Sequence, residues 1–395
     1  MRILFLTSGL SPQADGVGDY CRRLAEALQR QGHDVSLVAI NDTFSRDVAG
    51  PRLAEKSGLD IVRFPSSQPW NERLSDARAW IEAFAPDWIS FHFVCYGFHR
   101  RGLVGKLVLQ LAHLCNGYRL HVMMHELWVM WGMDCRLRDR LMGVLQRRGV
   151  VRFLKALQPS LIDTTIPFYQ AVLQREGFSC GILPLCGNFT PVRGDAQNWL
   201  TTRIAGAGLP SLWPRTRPLL AAGFFGTIFG HWNPQPLLFK LSEAARSLGK
   251  EILLLSGGKC SAAGERLFDQ LPEQLDGVQI HKLRLGALTT EQASEYLNTL
   301  DLGLTCYSPL FVGKSSTVAT MKDHGLPILI GGDDRSLENA WKLEQHVPGV
   351  VGLGDSVQRL QVLPSRSPAI DSSTIITATF ISKLMATSAS LSAPV

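Results

Sequence analysis

The sequence lacks long apolar runs. No window of its 395 residues approaches the roughly 18 apolar residues needed to cross a bilayer, so no transmembrane helix is expected. It also lacks Cys-x-x-Cys pairs and zinc-like Cys/His spacing. Cys21, Cys95, Cys115, Cys135, Cys180, Cys186, Cys260 and Cys306 are scattered, which reads as reduced, mostly buried thiols with no bound metal. No basic motif is interleaved with aromatics. A net charge of +6 suits anionic ligands or a lipid surface but is too small to indicate nucleic acid. The opening Met-Arg-Ile-Leu-Phe-Leu-Thr-Ser is apolar for too short a distance to be a secretory signal, so the expected location is the cytoplasm.

What is present is an ordinary globular balance, 45% hydrophobic and 19% charged, in a chain long enough for about two to three domains. Ile3-Leu4-Phe5-Leu6 reads as a buried parallel strand, followed by a loop with Gly9, Pro12, Gly16 and Gly18. Asp19 then opens a helix carrying Tyr20, Leu24, Ala27 and Leu28, either as its cap or as an acceptor contact, and Val35 to Ile40 forms the next strand. Two later strands, Trp88 to Phe93 and Leu120 to Glu126, hold His92 near the end of the first and His125 at the end of the second. Ligands of open α/β sheets bind at such ends. After Gly187 the texture changes, with Pro191, Gly194, Gly206, Gly208, Pro210, Pro214 and Pro218 marking a linker. A second strand, loop and helix series follows: Leu219 to Phe225, a loop with Gly226, Thr227 and His231, then Gln235 to Leu248. The fold class is therefore α/β, with two tandem doubly wound Rossmann-like domains. The boundaries are 1–187, a linker at 188–217, a second domain at 218–365, and a C-terminal helix and tail at 366–395 that packs back on the first domain. Ser372 to Met385 reads as that helix, with the last ten residues frayed.

The most informative stretch is Gly313-Lys314-Ser315-Ser316-Thr317, which leads into a helix stopping at Gly325-Leu326-Pro327 and then Ile328-Leu329-Ile330-Gly331-Gly332-Asp333-Asp334. A helix start preceded by glycine and lysine is an anion site, because its first amides have no partner inside the helix and its dipole is positive there. It is also a plain capped helix. It is not a P-loop, since Ser308 stands where that pattern needs glycine. Between 136 and 155, six arginines alternate with Leu137, Leu141, Val144, Leu145 and Phe153, a basic amphipathic pattern that fits either a solvated face or an anionic membrane surface.

Taken in order, these features resemble the GT-B glycosyltransferases, especially the retaining enzymes that use nucleotide sugars. The resemblance rests on Gly16-Val17-Gly18-Asp19-Tyr20 with Leu24 to Leu28, on Gly32-His33-Asp34-Val35, on Met124-His125-Glu126-Leu127, on Phe225-Gly226-Thr227 and on His324-Gly325-Leu326-Pro327-Ile328-Leu329. It implies two domains facing across a cleft, the first on the acceptor side and the second binding the nucleotide sugar. It also implies metal-independent transfer from a nucleoside diphosphate sugar, a UDP-sugar above all, with no further cofactor. The acceptor is a glycan, a lipid-linked sugar or a small molecule.

Under this resemblance, Gly16, Gly18, Gly226, Thr227, Lys259, Lys314, Ser315, Ser316 and Thr317 hold the donor diphosphate, where preorganised amides and cations stabilise the leaving group. His125 contacts the sugar or handles the acceptor proton, with Glu126 as partner. The chain departs from the family pattern in carrying Val312 and Thr320 where many members have glutamates, which makes it a divergent member. Two other readings follow: a silent nucleotide-sugar-binding partner of a transferase, and a nucleotide-sugar epimerase. An NAD-linked dehydrogenase is disfavoured by the missing compact glycine fingerprint.

Overall fold

The computed structural model describes residues 1–12, 16–43, 53–54, 58–105, 107–129, 136–192, 198–209, 217–333, 337, 350–352 and 366–392. Cys135, Gly194, Pro210, Pro214 and Asp334 lie outside them. The chain divides into two units, one comprising Met1–Cys186, Ser336–Leu343 and Ser373–Val395, the other Gly187–Arg335 and Glu344–Ser372.

The N-terminal unit runs β1 (Arg2–Thr7), α1 (Gly16–Arg30), β2 (Asp34–Asp42), β3 (Leu53–Ala54), β4 (Asp60–Pro65), α2 (Trp70–Phe84), β5 (Trp88–Phe93), α3 (Cys95–Phe98), α4 (Val108–Cys115), β6 (Arg119–Met124), α5 (Leu137–Leu157), β7 (Leu161–Thr164), α6 (Pro167–Arg175) and β8 (Gly181–Ile182). Its sheet has the order β3-β4-β2-β1-β5-β6-β7-β8 and is parallel except for the β3–β4 pair. The central strands are near-continuous runs of apolar residues because both of their faces are covered, and every residue of β5 is buried.

The C-terminal unit runs α7 (Asn198–Gly206), β9 (Leu219–Phe225), α8 (Gln235–Ser247), β10 (Glu251–Gly257), α9 (Ala262–Asp269), β11 (Gln274–Leu275), β12 (Val278–Gly286), α10 (Thr290–Thr299), β13 (Leu302–Thr305), α11 (Ser316–Asp323), β14 (Ile328–Ile330) and β15 (Val350–Val351). Its sheet order is β11-β12-β10-β9-β13-β14-β15, again parallel apart from the short β11 edge. Each unit is thus a doubly wound Rossmann-like domain.

The structure corrects four local expectations. Gly16 and Gly18 do not lie in the loop after β1 but in the first turn of α1, where Gly18 is buried. Asp19 is accordingly the fourth residue of that helix rather than its cap, close to the positive end of the dipole. The stretch read as a linker at 188–217 contains α7, whose Leu200 and Ile204 are buried in the core of the C-terminal unit. The last helix, α12 (Ser372–Ser392), continues well past Met385.

Apolar positions of α12 four residues apart, Ile376, Phe380 and Leu384, are buried in the same cluster as Ile3, Phe5, Leu24 and Trp88. Polar pins reinforce the docking. Gln31 Nε2 donates to Thr377 Oγ1, and Arg119 Nη1 donates to Ser388 Oγ at 3.0 Å. The helix therefore belongs to the core of the N-terminal sheet. Phe380→Ala is expected to destabilise the protein by about 3–5 kcal/mol, read as a lower urea midpoint; an unchanged midpoint would remove α12 from that core.

Candidate active site

In the C-terminal unit, β9 is flanked by β10 and β13, so the order of the chain reverses beside β9. The carboxyl ends of strands at such a switch point form a natural ligand crevice. Three features meet there. Gly226 follows β9 with φ +84°, and its N–H donates to Gly257 O at 2.8 Å. Gly258 follows β10 with φ +92°, and a Cβ there would lie 3.2 Å from Gly226 N. The start of α11 completes the group, since a Cβ on Gly226 would come within 2.9 Å of Thr317 Cγ2. Only glycine permits both the left-handed backbone and this close approach.

Ser315 caps α11 as the sequence suggests. Its buried Oγ accepts Val318 N–H at 3.3 Å and lies 3.0 Å from Thr317 Oγ1. Lys314 ends a 3₁₀ turn, Val312–Lys314, with its Nζ 5.6 Å from the centre of the Phe311 ring. Thr227 is exposed, and its carbonyl receives Cys306 Sγ–H at 3.6 Å. Lys259 is exposed directly after Gly258. Of the residues expected on the donor side, Gly226 and Ser315 to Thr317 are brought together, with Lys314 adjoining them.

The two positions that often hold glutamates in the resembled family face inward. Val312 is fully buried in the apolar cluster. Thr320 is also fully buried; its hydroxyl donates to Ser316 O and accepts Asn188 N–H, both at 2.8 Å. His324 is a structural residue, bridging Thr320 O at Nδ1 and Ser294 Oγ at Nε2, each at 2.7 Å. His231 stacks on Phe229, with ring centres 5.8 Å apart.

In the N-terminal unit the loop after β1 is tied down by Asp42, which ends β2 and is fully buried. Its Oδ2 accepts Leu10 N–H at 3.1 Å and its Oδ1 accepts Ser11 Oγ–H at 2.9 Å. Gly16, at the other end of that loop, is exposed with open space around it. His125 directly follows β6 and is 6% exposed, so only its edge reaches the surface. Its Nε2 lies 2.9 Å from Nδ1 of His92, and its ring meets that of Tyr20 edge-on at 5.4 Å. Glu126 is half-buried beside it in the chain.

A line of polar groups continues beneath His125. Ser90 Oγ lies 3.0 Å from His92 Nε2 and 2.8 Å from His121 Nδ1. His121 Nε2 lies 3.4 Å from Asp163 Oδ2, and Lys383 of α12 bonds Asp163 Oδ1 and donates to Ile182 O at 2.9 Å. Sequence reading found His125 and noted His92, but missed Ser90, His121, Asp163 and Lys383. The signal is the period of two: Ser90 and His92 share one face of β5, and His121 and His125 share one face along β6.

Burial pushes the His92 imidazole well below its ordinary value and His125 down to about 3, and their histidine neighbours add to the effect. Burial also lowers His324, with Arg366 contributing. Asp163 is pushed up by burial, but His121 and Lys383 outweigh this and hold it below the usual carboxylate range. An unfolded histidine ionises near 6.5, so as pH falls below that value the unfolded chain binds protons that the folded chain refuses. Stability supplied by each neutral buried imidazole is therefore present above about pH 6.5 and is lost on acidification, by about 1.4 kcal/mol per pH unit. The urea midpoint is expected to fall between pH 7 and 4.5, with a shallower fall in His125→Gln; parallel slopes for the two proteins would contradict the buried neutral state.

Among the described residues no group of three or more His, Cys, Asp or Glu side chains is arranged to hold a metal ion, and no helix is long and apolar enough to cross a membrane. Residues 15–158 match the glycosyl transferase 4-like domain family. Comparison with curated proteins gives no match. Among solved structures, HepE of Anabaena in complex with UDP and glucose is 14% identical, covering 98% of this chain and 100% of that one with a TM-score of 0.61. The catalytic domain of starch synthase IV from Arabidopsis thaliana, bound to ADP and acarbose, is also 14% identical, covering 98% and 99% with a TM-score of 0.53. The chain therefore shares the GT-B fold of these structures, and residues 15–158 of its N-terminal unit are similar to the glycosyl transferase 4-like domain.

Proposed function

We propose that this protein transfers a sugar from a nucleoside diphosphate sugar, a UDP-sugar in the first instance, to a glycan, lipid-linked or small-molecule acceptor. The observation that carries the reading is the convergence of Gly226, Gly258 and the start of α11 at the switch point of the C-terminal sheet. Bare backbone at a helix N-terminus is suited to a diphosphate, whose charge grows as the glycosidic bond breaks. Gly226, Thr227, Ser315, Ser316 and Thr317 supply main-chain and hydroxyl donors, and Lys314 and Lys259 supply positive charge. In the N-terminal unit, Gly16 and Gly18 at the start of α1 form a second small-residue helix start suited to an anionic group, and His125 with Glu126 addresses the sugar or the acceptor proton. Stabilisation by these groups requires no metal ion. The solved complexes of HepE with UDP and with UDP-glucose support a UDP-linked donor. The unlinked cysteine thiols among the described residues support a reducing, cytoplasmic setting.

A second feature bears on where the protein works. Along α5, Leu137, Leu141 and Leu145 are 82%, 61% and 41% exposed. At about 100° per residue, Arg148 and Arg152 extend the same stripe, and both are exposed. The opposite face, with Gln146, Val150, Phe153 and Leu157, is buried in the unit, and exposed Leu109 lies on the neighbouring α4. Leucines in a row beside arginines fit an anionic lipid surface, with the apolar side chains entering the headgroup boundary. We assign this stripe to peripheral membrane contact at the cytoplasmic face.

Calorimetry with UDP, GDP, ADP and dTDP, followed by incubation with labelled donors with and without EDTA, tests the donor reading. UDP binding with EDTA-insensitive transfer or slow donor hydrolysis is expected. Lys314→Ala should weaken UDP by about tenfold or more, since a contact to a charged group contributes about 1.5–3 kcal/mol. Binding without transfer or hydrolysis would instead identify a silent nucleotide-sugar-binding protein, and unchanged affinity would remove Lys314 from the site. For the membrane contact, flotation should recover the protein with vesicles containing phosphatidylglycerol and not with pure phosphatidylcholine. Leu141→Glu should abolish recovery, and equal recovery of variant and parent would dismiss the α5 stripe.

A further inference from the structure

His324, the one buried histidine among the described residues outside the line under His125, ends on a main-chain carbonyl and a hydroxyl. The line under His125 is different because one end of it is an ion pair between the buried Asp163 carboxylate and the half-buried Lys383. His125, His92, Ser90, His121, Asp163 and Lys383 run from the carboxyl end of β6, across β5 and β6, to β7 and the last helix. His92, Ser90, His121 and Asp163 are each at most 1% exposed. Phe5, Tyr20 and Phe380 pack around the rings, with centre separations of 5.1 Å for Phe5–His92, 5.8 Å for Tyr20–His92 and 5.0 Å for Phe380–His121. The Tyr20 hydroxyl points elsewhere, to Pro184 O at 3.4 Å.

A neutral imidazole has one donor and one acceptor nitrogen, so a line of them admits only two proton arrangements, one in each direction. The choice is made at Asp163. A carboxylate can only accept, and both its Oδ2 and the facing His121 Nε2, 3.4 Å away, are buried with no hydrogen-bond partner among the described residues. A lone pair on His121 Nε2 would face a carboxylate oxygen, so the proton sits on Nε2 and His121 Nδ1 accepts from Ser90. The serine oxygen in turn accepts from His92 Nε2, and His92 Nδ1 accepts from His125 Nε2. His125 Nδ1 remains as a bare lone pair at the strand end.

We propose that this line is a tautomer-setting device, in which the Asp163–Lys383 pair fixes His125 as the Nε2–H form and leaves Nδ1 free to accept a hydrogen bond from a substrate hydroxyl. Ser90, His92, His121, Asp163 and Lys383 are then positioning residues for His125. The role given to the hydroxyl rests on the sugar-transfer reading above, whereas the tautomer itself does not.

The test is nitrogen-15 histidine NMR on the full-length protein, which separates protonated from bare ring nitrogens. The parent protein should show His125 with protonated Nε2 and bare Nδ1. Asp163→Asn keeps an oxygen for Lys383 but turns an amide donor toward His121 Nε2, which reverses the line and should move the His125 proton to Nδ1. Ser90→Ala, a small deletion that serves also if the first variant fails to fold, should leave His125 as a mixture of the two forms. A parent protein with His125 protonated at Nδ1, or a His125 signal identical in parent and Ser90→Ala, would overturn the proposal. Where the parent transfers sugar, Ser90→Ala should lower kcat by about tenfold or more at unchanged donor KM; a loss confined to KM would also count against it. If the parent transfers nothing, the sugar-transfer reading fails while the NMR outcome still decides the tautomer.

Discussion

A carboxylate without solvent must be matched by a cation and by hydrogen-bond donors, and the N-terminal sheet meets this demand at Asp163 in an unusual way. The cation is Lys383, separated from it by 220 residues of chain. Among the described residues no donor on the sheet itself replaces it, since the second carboxylate oxygen faces His121 Nε2 at 3.4 Å without a hydrogen bond. The charge thus fixes where α12 must lie, and the apolar row Ile376, Phe380 and Leu384 then closes the core over β1 and α1. Electrostatic and hydrophobic constraints select the same position, so the helix has one register in which both are satisfied.

The two units use one architecture for different purposes. In the C-terminal unit the switch point is bare: glycines in the left-handed region and the first turn of α11, where Ser315 Oγ takes up the Val318 N–H, offer main chain to an anion. In the N-terminal unit the loop after β1 is instead tied to the buried Asp42, and the strand ends carry side chains rather than exposed main chain. The first arrangement is chemically generic and suits a nucleotide diphosphate. The second is specific, and its polarity is set from inside the sheet.

Much of this was legible in the sequence, because the periods are strong. Apolar runs such as Ile3 to Leu6 and Ile252 to Leu255 can only be strands buried on both faces, and Ser315 with Gly325 marks the two ends of α11 through capping chemistry and a positive φ of 68°. Gly16 and Gly18 misled the reading, since glycine is the residue of loops, yet at a helix start it is equally tolerated and lets other groups come near. The proline- and glycine-rich stretch after Gly187 hid α7, whose buried Leu200 and Ile204 carry too short a pattern to stand out. The histidine line was invisible for a different reason. Its members are local only in the sheet order β5-β6-β7, and that order is a property of the whole fold rather than of any window of residues.

The closing helix also has a bearing on how the protein is made. Because α12 follows the entire C-terminal unit in the chain, the N-terminal sheet leaves the ribosome without the helix that covers Phe5 and neutralises Asp163. Domains usually mature in the order of their synthesis. Here the earlier unit is completed after the later one, and a half-covered apolar face must wait, exposed to other chains and to chaperones, until α12 has been made.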